Sequence, residues 1–257
     1  MANLANPTFL NHLKSISIQA GGVQPTLQNP WYLVAAVASS ASNTPEAVPE
    51  IFKYALDDLK RESRDVDTTK QELALARRFR ECLLQSGLLC GFARAINSLV
   101  ALHEAMPQEL RDTEMARDRN KGVQEYAQDG RQLYQAMYGD TAEGIQELLD
   151  TVYPDLGMYA KPDLITIVFM PGEGWFCSTV GYGMVYGGTK ALSQVETSFI
   201  IATANIVMDT PRQIGWHLAN ARNGGATLEQ AQAVRRIAIE VGEAAGIRWK
   251  NDVPEVV

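Results

Sequence analysis

The chain has 257 residues, 46% hydrophobic and 21% charged, which excludes an intrinsically disordered protein and leaves ample material for a core. Lys and Arg number 23 against 30 Asp and Glu, and the resulting net charge of −7 excludes the basic footprint of a nucleic-acid binder or of a membrane-surface helix. Three scattered cysteines, Cys82, Cys90 and Cys177, form neither a CxxC pair nor a disulfide framework, which points to a reducing compartment.

Residues 1–28 read as an N-terminal tail of mixed composition. They lack the basic start and long apolar run of a signal peptide, and no Arg precedes Arg61, unlike a mitochondrial presequence. The last five residues, VPEVV over 253–257, are not a peroxisomal tripeptide. The apolar runs are too short to span a bilayer, so a cytoplasmic location and no membrane partner are expected.

Helix signals dominate the rest. Thr68 and Thr69 precede Gln71 and Glu72 with capping-box spacing, opening a helix to about Ser86. Phe92–Met106 reads as the next helix, stopped by Pro107, and Thr141 opens one over Ala142–Val152. The β-branched run Asp163–Met170 is the one strand-like segment, bounded by Pro162 and Pro171. Ser193 with Glu196 opens the apolar helix reaching Met208; Glu196 is tempting as a carboxylate base but fits a capping box. Thr210, Pro211 and Gln213 open a further helix, and Thr227 with Gln230 open the last, which runs to about Ala245 with Gly246 closing it. Ala231, Val234, Ala238, Val241 and Ala245 line one stripe of that helix, small enough for a neighbour to approach closely. The fold class is all-α.

An internal repeat follows from the same elements. LVAAVA over 33–38, then Thr44-Pro45, parallels FIIATA over 199–204, then Thr210-Pro211, at a constant offset (199 − 33 = 166). The run Arg80 to Gly91 parallels Arg235 to Gly246 at a shorter offset (246 − 91 = 155), which leaves extra residues in the first copy around Asp57–Thr69. Two copies of one helical unit suggest a pseudo-symmetric bundle in which each covers the other's apolar face.

Of the three histidines, His12 and His103 lie where little converges on them. His217 stands three residues after Ile214 and four before Ala221, on an inward helix face. That position suits a satisfied core residue. It also suits a general base, because burial favours the neutral imidazole that a base needs. No HxxxH or ExxH partner accompanies it, so no metal site is expected.

Ser198, His217 and the turn Asn223 to Gln230 (NGGATLEQ) together resemble the signature of the carboxymuconolactone decarboxylase family, whose fold is that of the alkylhydroperoxidase D proteins. The run Gly91 to Asn97 (GFARAIN), Tyr138-Gly139-Asp140 and the spacing from Pro154-Asp155 to Tyr182-Gly183 are also similar to family patterns. The resemblance divides the chain into a partial repeat over 29–107 and a complete unit over 111–250, as in fungal two-copy members. Residues 160–174 depart from the pattern as an insertion, which is a lid, an irregular loop or a retained gene-model segment.

The resemblance implies an AhpD-like helical bundle with two pseudo-repeated units. Hydroperoxidase members carry Glu, Cys, Cys and His at positions that fall here on Ser198, Thr210, Gln213 and His217, so both thiols are missing. Decarboxylase-type members carry Ser where Ser198 stands. The implied activity is that of a cofactor-free general acid/base lyase or isomerase acting on a small cyclic or unsaturated carboxylic acid or lactone. His217 would move the proton and Ser198 would hydrogen-bond the developing enolate. Tyr182 and Trp216 would wall the pocket, and Arg222 would hold a substrate carboxylate or complement a helix end. The first copy has Tyr32 and Ile51 in place of Ser198 and His217, so catalysis is expected in the second copy alone. The alternatives are an AhpD-like peroxidase or antioxidant protein and a non-catalytic binding or scaffold member. A homo-oligomer, a trimer or hexamer-like ring, is the expected assembly, with a small molecule as the other partner and no cofactor.

Overall fold

Two stretches of this chain are so apolar that they must be covered on every side, and the fold is organised around them. They become α2 (Trp31–Ala41), in which every residue is buried, and α8 (Gln194–Val207), buried from Thr197 onward. The computed structural model describes residues 4–62, 67–153, 156 and 176–257. The other helices are α1 (Pro7–Gly21), α3 (Ala47–Glu62), α4 (Thr69–Cys90), α5 (Phe92–Ala105), α6 (Val123–Tyr138), α7 (Ala142–Val152), α9 (Pro211–Asn223) and α10 (Leu228–Ala244). A π-helix spans Phe176–Tyr186. The architecture is all-α, and no strand occurs among the described residues. Asp163–Met170, read as strand-like, and the insertion 160–174 lie outside the described residues.

The chain folds as two compact units, Met1–Thr113 with Ala191–Val257, and Glu114–Lys190. These boundaries cut across the expected division at 29–107 and 111–250. The reason is burial: α2 and α8 pack on each other, and α4 and α10 pack against both, so the first copy and the end of the second share one core. The described residues of the N-terminal tail, 4–28, are largely helical. They form α1, capped by Asn6, which buries Leu10, Leu13 and Ile16 and packs against α10.

The repeat is visible in backbone detail. Among the described residues, Asn43 and Asp209 are the non-glycine residues with positive φ, at 59° and 58°, and are separated by the repeat offset (209 − 43 = 166). After each, a threonine folds back by the same rule. Thr44 Oγ1 donates to the Ser39 carbonyl at 2.9 Å, and Thr210 Oγ1 to the Asn205 carbonyl at 3.2 Å. Gly91 and Gly246, the second pair of the repeat, both take positive φ, at 93° and 86°, just beyond α4 and α10.

Three expected caps are replaced. Thr141 Oγ1 donates to the Tyr138 carbonyl at 2.7 Å and leaves α7 without a side-chain cap. Thr210 turns its hydroxyl back to Asn205 instead of capping α9. Thr68 donates to the Glu72 carboxylate, and Asp67 accepts from the Thr69 N–H at 3.0 Å in its place. Ser193–Glu196 and Thr227–Gln230 form reciprocal capping boxes as read from the sequence.

In the unit Glu114–Lys190, α6 and the π-helix touch backbone to backbone. A Cβ at Gly130 would stand 1.8 Å from the Ser178 carbonyl oxygen, and one at Gly183 would stand 2.2 Å from that of Tyr126. Only glycine permits that approach.

Candidate active site

A cavity of about 350 Å³ opens in the unit formed by the first copy and the end of the second. That is the size of a small-ligand pocket. Its floor comes from repeat helices: Arg78 from α4, Val195, Glu196 and Phe199 from α8, and Gln230, Val234 and Ile237 from α10. Its other wall is the N-terminal segment, through Ser17, Gly21, Gln24, Leu27 and Gln28, together with Trp31 from α2.

The chemistry lies at Arg78. It is on the inward stripe of α4, three residues after Leu75 and four before Cys82, both fully buried. Its guanidinium pairs with Glu196, and the two side chains are 13% and 14% exposed. Nε donates to the Tyr32 hydroxyl at 2.8 Å and one terminal nitrogen donates to the Ala191 carbonyl at 3.2 Å. Glu196 reaches the site from the first turn of α8, where one carboxylate oxygen also accepts the Ser193 N–H at 2.9 Å. Capping box and ion pair are thus performed by one carboxylate, which the positive end of the helix dipole further favours. Tyr32 stacks on Phe79 with ring centroids 5.1 Å apart and backs Arg78 from the fully buried side.

Burial works against the Arg78 charge, but Tyr32 and Glu196 outweigh it and hold the guanidinium protonated. Burial pushes the Tyr32 phenol up to about 12, with Arg78 pulling the other way. The phenol therefore stays neutral and accepts from Arg78. A carboxylate held beside a fixed cation at a cavity wall can accept a proton from a bound molecule. The guanidinium can stabilise the oxyanion that forms.

The residues singled out from the sequence fall elsewhere. Ser198 and His217 are buried in α8 and α9, helices that pack on each other, and neither lines this cavity. Burial pushes the His217 imidazole down to about 3, and its Nδ1 lies 3.3 Å from the Asn220 amide nitrogen. It is neutral, as the inward position implied, yet so weakly basic that it holds a proton poorly. Ser198 Oγ is buried and has no hydrogen-bond partner among the described residues. Trp216 is half-buried on α9. Arg222 is exposed and donates to the Ala226 carbonyl, tying the α9–α10 turn. Tyr182 belongs to the other compact unit, in a buried ring cluster with Tyr134, Tyr138 and Tyr186, and its hydroxyl donates to that of Tyr138 at 3.0 Å.

Burial raises all three thiols, Cys82 the most, so none has the depressed pKa of a peroxidatic cysteine. No group of metal-binding side chains occurs among the described residues.

Two proteins named Peroxisomal protein 2 are similar to this chain. The one from Saccharomyces cerevisiae is 28% identical over an alignment covering 92% of this chain and 95% of its own length. The one from Schizosaccharomyces pombe is 28% identical, with 86% and 90% covered. No family model matches the chain, and no solved structure matches it. Among the described residues, no helix is long and apolar enough to cross a membrane.

Proposed function

We propose that the chain is a cofactor-free acid/base enzyme, a lyase or isomerase of the carboxymuconolactone decarboxylase-like kind, with Glu196 rather than His217 as its base. The observation that carries this reading is the Tyr32–Arg78–Glu196 cluster at the wall of a cavity sized for a small molecule. Glu196 takes a proton from the carbon next to a carbonyl, and the electron pair flows into the carbonyl oxygen. Arg78 stabilises that oxyanion while Tyr32 fixes the guanidinium. Return of the proton at a conjugated carbon completes an isomerisation; Glu196 ends as it began. The raised thiols speak against the peroxidase alternative.

The names of the two similar proteins support a peroxisomal location in place of the cytoplasmic one, testable with a fluorescent fusion alongside a peroxisomal marker. Self-association is part of the same reading. Phe92, Ile96 and Val100, four residues apart on α5, are 45%, 55% and 50% exposed, and light scattering reads the assembly directly.

Metabolite profiling of a deletion strain tests the activity. The accumulated compound should be converted by purified protein in the presence of a chelator, whereas conversion that requires an added cofactor sinks the reading. A second assignment rests on the partnerless Ser198 hydroxyl and keeps the base at His217. Turnover lost in His217→Gln but kept in Glu196→Gln would select it.

A further inference from the structure

Resting on the isomerase branch of that reading rather than the decarboxylating one, we infer that the cavity's ligand is an uncharged carbonyl compound carrying a hydroxyl, not a carboxylate. Among the described residues that line the cavity, the charged ones are Arg78 and Glu196, and each neutralises the other. A carboxylate entering the site would lie beside the ionised Glu196, whose charge already offsets that of Arg78; only after Glu196 has taken a proton is the guanidinium released to stabilise an oxyanion. The burial of such a carboxylate would go uncompensated. The remaining polar lining consists of hydroxyls and amides, which recognise neutral groups. Gln230 spends its carbonyl oxygen on the Thr227 N–H at 2.9 Å, which leaves its amide N–H as a donor. Gln24 spends its amide nitrogen on the Gly21 carbonyl at 3.2 Å, which leaves its oxygen as an acceptor. The cavity thus presents a donor for a carbonyl and an acceptor for a hydroxyl, between the apolar faces of Trp31, Phe199 and Ile237. The N-terminal segment, which lies outside both repeat copies, supplies the acceptor side.

Isothermal titration of the full-length protein with two matched probes tests this. The probes are para-hydroxyacetophenone, which is neutral, and para-hydroxybenzoate, which differs by one charge. The ketone should bind at least tenfold more tightly and shift the Trp31 indole resonance. Glu196→Gln leaves Arg78 without its counter-charge and should reverse the preference. Gln24→Leu, which removes the acceptor for the hydroxyl, should weaken ketone binding at least threefold. Equal or tighter binding of the benzoate to the unaltered protein overturns the inference, as does an unmoved Trp31 signal with both probes. Ketone preference without any turnover would leave this inference standing and count against the acid/base reading. Glu196-dependent turnover of a carboxylate would do the reverse.

Discussion

Replacing Arg78 with Met should cost about 3 kcal/mol of folding stability. The side chain is 13% exposed and its loss strands the Glu196 carboxylate, itself 14% exposed, together with the Tyr32 hydroxyl. Breaking a buried ion pair by removing one partner costs about 3–5 kcal/mol. The residual exposure and the surviving Ser193 N–H bond at 2.9 Å move the expectation to the lower end of that range. The double variant Arg78→Met with Glu196→Gln removes both charges, while the introduced amide oxygen still accepts from the Ser193 N–H. It should therefore be more stable than Arg78→Met alone, with a coupling energy of about 1–3 kcal/mol. Urea denaturation at neutral pH, followed by far-ultraviolet circular dichroism, measures all four corners of the cycle. A single variant within about 0.5 kcal/mol of the parent would refute the reasoning, as would strictly additive effects.

Three further outcomes are expected. His217 is held near 3 in the fold against an ordinary 6.5, so the unfolded chain binds the extra proton. Stability should fall as pH drops through 6.5, by about 2 kcal/mol at pH 5, and His217→Gln should flatten that part of the urea profile. Gly130→Ala forces a Cβ to within 1.8 Å of the Ser178 carbonyl oxygen and should destabilise the unit by about 2 kcal/mol or more, read as a lower thermal midpoint. Cys82, fully buried with its thiol pKa raised, should resist iodoacetamide in the native protein at neutral pH and label only on unfolding, as followed by mass spectrometry.

The helices were largely legible because capping and periodicity are local. Ala142–Val152 spans the residues that the apolar pattern gives it, although Thr141 does not cap it, and both capping boxes close as spaced. The repeat was legible too, since its offset reappears in the strained pair Asn43 and Asp209. What escaped depends on contacts that spacing rules do not specify, most of them far apart in sequence. Thr210 has the residues of a helix cap, but its hydroxyl finds a nearer acceptor across the turn. The residues called a tail bury Leu13 only because α10 lies alongside. The cavity cluster joins α2, α4 and α8, so no spacing rule reveals it. Two signals were present nonetheless. Arg78 is a charge on an inward stripe between Leu75 and Cys82, and Tyr32 is the polar residue that stands in the first copy where Ser198 stands in the second. His217 was singled out by the family resemblance, at an inward position that equally suits a core residue, and the burial that keeps it neutral there also lowers its basicity.

Turnover by Glu196→Gln protein tests the central claim most directly. With the compound that accumulates in the deletion strain as substrate, kcat should fall about 100- to 10,000-fold, the usual contribution of a general base. The helical circular dichroism signal should stay intact, because a glutamine side chain can still cap α8. Turnover within a factor of two of the unaltered protein would contradict the account.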